Sequence, residues 1–536
     1  MFARPEEMVE LLWKTQPYNS DNEIRLNESR FAEELTWFFS LKNDVAAATE
    51  DFGRVLRITY HAGYLLKNPT EQNKRSCVDL LDCLDAFINS FRPTTTLQRV
   101  LVLCEMPLLG QVLQNDASCR FADWQAIVDN LCSIWSNDFD GEGMLASSDL
   151  DDFAEVLGSM ARIIHLSDTV TADTPIPETI LNEFQWAVRQ LLLICMGDGR
   201  IFGGKGGQLN VELVAMLLKL GGDPSDVRLA DHLGLLSDPV TEFGTSLAVQ
   251  AKRPPSTFHS EWAQVAILRS GWGRKRRELA VSVNGTRVAV VLQSCGANVL
   301  EGPVEFVLEV NGAVVEPTGT WTETCWQSDD DADYLELELE LDNGWRIQRQ
   351  FCVSRGSGAV LIADVVLGNA VAVIRHTLKI ASSTPTVQFN VSGEGRELLV
   401  KSENLHGLVL PVGLSEWRHN RVDGVRGELT AFDCLELTTG GEQVAALYCP
   451  LFFALTPRAA DKQFTWRKLV VVKKMTHEAP DQAVAVRIQV GGRQWLLYRS
   501  LTEQANRTFM GQNYASEFVF GEFLLDGKLK PYVEIS

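Results

Sequence analysis

Three residues able to move protons stand together in the run RITYHAGYLL: Tyr60, His61 and Tyr64. On a helix Tyr60 and Tyr64 share a face, one turn apart. A His–Tyr pair of this kind can take a proton from the carbon beside a carboxylate and return one to a leaving oxygen, which is the chemistry of β-elimination. The same residues also read as packing, with aromatic rings filling a helix interface and His61 making a local hydrogen bond. Arg274, Lys275, Arg276 and Arg277 form the one dense basic run, with Lys252 and Arg253 upstream. Guanidinium forks match carboxylates, so the run is a candidate contact for an acidic sugar chain, or a solvated turn. Trp321, Trp326, Trp345 and Trp417 are either stacking platforms for a sugar or core residues.

Other patterns fall short of chemistry. Gly199, Gly204 and Lys205 approach a phosphate-binding loop, but Gly206 stands where a Ser or Thr must hold Mg²⁺, and a helix precedes it. Asp138 and Asp140-Gly141 approach a calcium loop, yet Ser147 stands where a bidentate Glu is needed. No nucleophile elbow, zinc spacing or dinucleotide fingerprint occurs, so neither metal nor cofactor is expected.

The elements that must position these residues differ between the two halves of a 536-residue chain, which is too long for one core. In the first half apolar residues recur at helical spacing. Leu80, Leu81, Leu84, Phe87 and Ile88 form one face, and similar patterns cover residues 96–114, 123–136, 150–165, 180–196 and 211–220. Asp140-Gly141 and Asp198-Gly199 each follow a predicted helix and precede an apolar residue. Repeated helix pairs with such turns fit an α/α toroid, though a plain helical array fits as well. Lys252-Arg253-Pro254-Pro255-Ser256 reads as a linker.

Beyond it come short β-branched runs with tight turns. Strands are expected at 265–268, 279–283 and 287–292, with Asn284-Gly285 as a hairpin turn. The run YLELELEL, residues 334–341, predicts a half-solvated strand with Glu outward, and 345–353 and 360–367 follow. Later strands are expected at 444–448, 468–473, 483–490, 494–499 and 517–525. The predicted organisation is a multidomain α and β protein. Its parts are a helical, toroid-like domain over residues 1–250, a linker over 251–258 and a large antiparallel β-sandwich over 259–536.

Composition narrows the function classes. The formal charge of −21 disfavours nucleic acid and anionic membrane as partners. Residues 1–17 carry charges throughout with no apolar core, and no run of ~20 uncharged apolar residues occurs. The 11 cysteines are scattered, many in apolar runs, as reduced buried thiols are. A cytoplasmic location is the expectation.

The second half carries a specific resemblance. Val265-Ala266-Ile267-Leu268-Arg269-Ser270-Gly271-Trp272 resembles the AVLRSGW strand that opens the β domain of the heparinase II/III-like family. Phe306 to Gly312 with Glu316-Pro317 resembles that family's next strand, and Leu361 to Val366 is similar to a further core strand. The resemblance implies a polysaccharide lyase architecture, a helical toroid followed by a β-sandwich. Between the first two matched strands the family carries H-G-H-x-D, whose side chains bind metal or serve the active site. The corresponding positions here are Asn298, Val299, Leu300, Glu301 and Gly302. Leucine ligates no metal and asparagine has no titratable proton near neutral pH. The family's Asn- and Tyr-bearing toroid motif is also not recognisable.

The resemblance therefore implies a catalytically degenerate relative that binds a carbohydrate or a protein partner in the cleft between its domains. Two alternatives stand beside it. One is an active lyase acting on a uronate polymer, with His61 and Tyr64 as a relocated base pair and Asn298 as a further candidate. The other is an intracellular scaffold with no sugar role.

Overall fold

The computed structural model describes residues 5–15, 28–40, 52–62, 70–114, 123–170, 176–203, 207–237, 252–273, 275–382, 387–418, 425–432 and 434–536. The chain divides into two compact units. One comprises Met1–Pro254 with Ser260–Ala263, the other Pro255–His259 with Gln264–Ser536.

The first unit is helical. Its helices start where a side chain can take an orphan amide: Thr70 accepts from Asn73 N, Asp123 from Gln125 N and Asn210 from Glu212 N. Asp223 and Asp226 form a reciprocal capping box ahead of the helix Pro224–His232. The stretch Thr96–Leu113 is long and apolar, with a mean hydropathy of 1.2 and 67% of it buried within the protein. A π-helical segment, Leu101–Glu105, interrupts it. Around it pack Phe38, Val55, Ile58, Leu80, Leu84 and Phe87, the apolar face read from the sequence among them.

The internal repeat is present in a different register from the one the Asp-Gly pairs predict. The helices Trp124–Asp138 and Glu178–Leu193 each run into a tight hairpin. In the first, Phe139 bridges Leu145, Asp140 N donates to Met144 O and Ala146 N to Asp138 O. In the second, Cys195 bridges Ile201, Met196 N donates to Arg200 O and Phe202 N to Ile194 O. Equivalent bonds place Gly143 (φ +85°) against Gly199 (φ +78°), so Asp140 matches Met196 and Glu142 matches Asp198. The left-handed position is what repeats, because the hairpin requires it there. Asp-Gly is a chance echo displaced by two residues.

Among its described residues the second unit contains three antiparallel sheets of 15, 5 and 4 strands. Strands β1 (Phe258–Ser260), β2 (Val265–Arg269), β3 (Arg277–Asn284), β4 (Arg287–Ser294) and β5 (Ala297–Val310) lie side by side in chain order. Next to β5 runs the 24-residue strand Ala359–Ser382, which also pairs with Arg346–Ser354 and with Cys434–Ala454. Along it Val360, Ile362 and Val366 enter one core, while Leu361, Ala363 and Val365 enter another. Apolar residues on both faces explain why this run does not alternate in the sequence. The five-stranded sheet covers the second core with Trp466, Val486, Ile488, Leu497 and Phe520. Its far face, with Ala485, Leu496 and Val519, meets Val471 and Phe509 at the four-stranded sheet. The Asn284-Gly285 turn joins β3 to β4, with Gly285 at φ +60°.

Two strand expectations need correction. The strand Ala332–Glu340 is half-solvated only toward its end, where Glu338 is half-buried and Glu340 exposed; Glu336 is 6% exposed, because the five-stranded sheet lies over the polar face there. Arg499 from that sheet pairs with Glu336 at 3.2 Å. The span 468–473 is not one strand. The chain leaves the five-stranded sheet at Leu469 and enters the four-stranded one at Val472.

Candidate functional site

The helix Phe52–His61 positions Tyr60 and His61, and it turns both inward. Tyr60 Oη donates to Glu105 Oε1 at 2.7 Å. Glu105, at the end of the π segment, also receives Arg162 through Nε at 2.6 Å and Nη2 at 3.0 Å, and the Ser159 hydroxyl. Arg162 Nη1 reaches Thr15 Oγ1 at 2.9 Å. All five groups are buried, and burial, with the Glu105 charge second, pushes the Tyr60 phenol well up. His61 is 1% exposed, with Nδ1 2.8 Å from Arg57 O and the Phe31 ring at 6.1 Å. Burial lowers its pKa. The surroundings of Tyr60 and His61 are those of packing residues. Tyr64 lies outside the described residues.

In the second unit the strand register brings two separate sequence candidates to one end of the sheet. Arg277 on β3 faces Ser294 on β4, which faces Ala297 on β5; Glu278 faces Gln293, which faces Asn298. Asn298 and the basic run are thus two strands apart. Asn298 Nδ2 donates to Glu301 Oε2 at 3.1 Å, while Val299 and Leu300 are fully buried in the core. Gly302 sits at φ +134°, where a Cβ would meet that of Ala381 at 2.8 Å. These five positions build a bulged strand.

The basic residues are used unequally. Arg276 Nε bonds Glu278 Oε1 at 2.7 Å, and Arg269 Nε reaches the same oxygen at 3.0 Å. Lys275 is exposed, and Arg274 lies outside the described residues. Arg277 is only 9% exposed. Its Nη1 and Nη2 donate to the carbonyls of Lys275 and Arg355, each at 3.1 Å, and its Nε has no partner. Among the described residues no carboxylate pairs with it. Burial depresses its pKa; the nearby Cys295 opposes this and Arg493 adds to it. Such a guanidinium, held by backbone carbonyls and with no carboxylate among the described residues, has the chemistry to accept an anion.

Several groups leave no mark in the sequence. His259 Nε2 lies 2.8 Å from Glu323 Oε2, and its ring stacks on Trp326 at 4.4 Å. Their separation along the chain hides this pairing. Arg349 grips Asp364 with two bonds, of 2.7 and 2.8 Å, on paired strands. His376 Nε2 lies 3.0 Å from Asp364 but off the direction a hydrogen bond needs. All three are fully buried and serve the fold. Of the four tryptophans, Trp321 and Trp345 are core residues, Trp326 is half-buried and Trp417 is exposed. Among the described residues no group of three His, Cys, Asp or Glu side chains could hold a metal ion.

No protein-family model and no curated protein matches the chain. Solved structures do. A mutant of the heparan sulfate lyase HepC from Pedobacter heparinus aligns at 11% identity over 94% of this chain and 90% of its own, with a TM-score of 0.53. A second structure of HepC from the same organism aligns at 11% identity over 93% and 89%, with a TM-score of 0.51. A chondroitin AC lyase from Streptomyces coelicolor A3, in complex with chondroitin sulphate, reaches only 0.42 at 10% identity over 94% and 88%, too slight to argue from. With helices through its first half and antiparallel sheets through its second, the chain has a polysaccharide-lyase-like fold.

Proposed function

We propose that this is a lyase-fold protein that does not carry out β-elimination and that binds an acidic carbohydrate at the sheet end around Arg277. The observation that supports it best is Arg277 itself, nine-tenths buried and without a carboxylate partner among the described residues. An external carboxylate or sulfate completes it, with Lys275 and Arg276 beside it on the chain. The lost chemistry is read from Asn298, Leu300 and Gly302, which occupy the positions of the family's histidines and aspartate and offer no base. The helix–hairpin repeat favours a toroid for the helical half, and a cytoplasmic location is part of the proposal.

The test is retention on immobilised heparin together with the absorbance of unsaturated product on incubation with heparin, heparan sulfate and alginate. Retention is expected at low salt and lost at high salt, with no product. Arg277→Met weakens binding about tenfold, the worth of one charge-assisted contact. Product formation overturns the claim of silence. Absent retention, or retention indifferent to Arg277→Met, overturns the binding site.

A second reading, retained turnover, has one observation in its favour. His259 and Glu323 form a histidine–carboxylate pair that is partly exposed, with a tryptophan ring beside it. That is the form of a general base. The same product assay, repeated on His259→Gln, decides between the two. A scaffold without sugar binding predicts neither retention nor product.

A further inference from the structure

We infer that the β unit takes up a short free peptide, uncapped at both ends, as an added piece of strand beside β5. The site is a cavity of about 800 Å³ lying wholly within that unit. Its floor is β5 over residues 303–307. Its walls are residues 286–288, at the start of β4, and residues 314–317.

The floor is a strand edge left open among the described residues. Asn311 N donates to Val373 O at 2.8 Å, and the antiparallel register runs on from there to Val304 opposite Ile380. Bonds in such a ladder alternate, so Glu309, Val307 and Glu305 spend theirs on the strand Ala359–Ser382. Leu308, Phe306 and Val304 turn theirs to the other edge. There Leu308 O takes Val315 N at 2.9 Å, and Val304 O takes Arg349 Nη1 at 2.8 Å. Phe306 lies between them. β4 pairs with β5 only up to Pro303, and the strand Ala313–Val314 only from Glu309. Among the described residues the N–H and C=O of Phe306 therefore face the cavity without a strand partner. They are a donor and an acceptor spaced for one residue of added strand.

Shape and charge define the occupant. β4 and the strand Ala313–Val314 bound the open edge at its two ends. Residues 304–307 remain, roughly 13 Å at about 3.3 Å per residue, which suits a peptide of three or four extended residues. The two ends differ in charge. Arg287 stands at the Val304 end and Glu316 at the Val307 end, both exposed and neither in an ion pair among the described residues. Glu305 faces Lys379 across the ladder, and Lys379 also lies 3.4 Å from Glu436, so the middle of the floor has no single sign. An antiparallel peptide puts its carboxylate at Arg287 and its ammonium at Glu316, whereas a parallel one turns both into repulsion. Its central side chain falls on the Phe306 side of the sheet, against buried Val288 and Val315, and is therefore apolar. The site shares no residue with the sheet end around Arg277, so neither reading rests on the other.

The experiment is calorimetric titration of the full chain with alanyl-valyl-alanine and three modified forms of it. One form is N-methylated at valine, one acetylated at the amino end and one amidated at the carboxyl end. The parent peptide is expected to bind. N-methylation removes the N–H that Phe306 O receives and weakens binding at least about tenfold, and each end cap weakens it about tenfold. Arg287→Gln, at an exposed position, weakens the parent about tenfold and erases its advantage over the amide. Glucuronate, of the ligand class assigned to Arg277, leaves peptide binding unchanged in competition. No heat with the parent, equal binding of any modified form, an advantage over the amide that survives Arg287→Gln, or displacement by glucuronate overturns the proposal. The modified peptides are tested on the unaltered chain, so the outcome does not depend on a variant's folding.

Discussion

The buried histidine of the β unit makes a sharp prediction about alkaline stability. His376 lies in the core with Asp364 at 3.0 Å, the Phe306 ring at 6.4 Å, and Arg349 and Cys449 as its other charged or titratable neighbours. Burial alone would lower its pKa, but Cys449 and Asp364 outweigh it and raise the value from 6.5 to about 9. A folded value above the unfolded one means stability that is fully present below pH 6.5 and disappears as pH rises through 9. A tenfold difference in proton affinity between the folded and unfolded chain is worth roughly 1.4 kcal/mol, so going from pH 7 to pH 10 removes stability on the order of 2–3 kcal/mol. The assay is urea unfolding of the full chain at several values across that range, for the wild type and for His376→Asn. Thiols, phenols and amines that titrate there are common to both proteins, so the difference isolates His376. The variant is expected to be less stable at pH 7 and to converge on the wild type by pH 10. Parallel pH profiles would refute the claim that His376 is charged in the folded state.

The same geometry fixes three further outcomes. Arg162→Met strands the Glu105 carboxylate in the helical core and costs about 3–5 kcal/mol, whereas adding Glu105→Leu recovers most of it; thermal melts of the single and double variants check this. Gly143→Ala places a Cβ 2.5 Å from Ala187 N at φ +85°, so it destabilises by about 2–4 kcal/mol, while Gly141→Ala meets nothing within 4 Å and is near neutral; urea unfolding of the pair checks the contrast. Arg277→Met removes a buried charge that has no counter-ion, so unfolding free energy rises by about 1 kcal/mol even as heparin retention falls; a loss of stability would contradict the unpaired state described above.

Much of the fold was legible because period carries it. Helical spacing located the helices Glu71–Ser90, Trp124–Asp138 and Val211–Gly221, and turn chemistry at Asn284-Gly285 located the β3–β4 hairpin. What periodicity cannot say is what covers a face. The alternation in YLELELEL is real, yet Glu336 is buried, since Arg499 arrives from more than 150 residues away. Hydrogen bonds between sheets and helices distant in sequence leave no local mark. For that reason the Tyr60–Glu105–Arg162 network was missed while its tyrosine was noticed for a different partner. The candidate binding site was half legible: the basic run was visible by charge, but only strand register joins it to Asn298.

Arg277 stands out most clearly against its peers. Among the described arginines that are nine-tenths buried or more, Arg162 holds Glu105, Arg269 holds Glu278, Arg349 holds Asp364, Arg499 holds Glu336 and Arg507 holds Glu478. The protein thus answers each of these five buried guanidiniums with a carboxylate, as desolvation demands. Arg277 alone breaks the rule, and two backbone carbonyls that supply dipoles but no charge hold it in place. A cost of this kind, incurred at one sheet end and nowhere else in the described core, supports a counter-ion that arrives from outside.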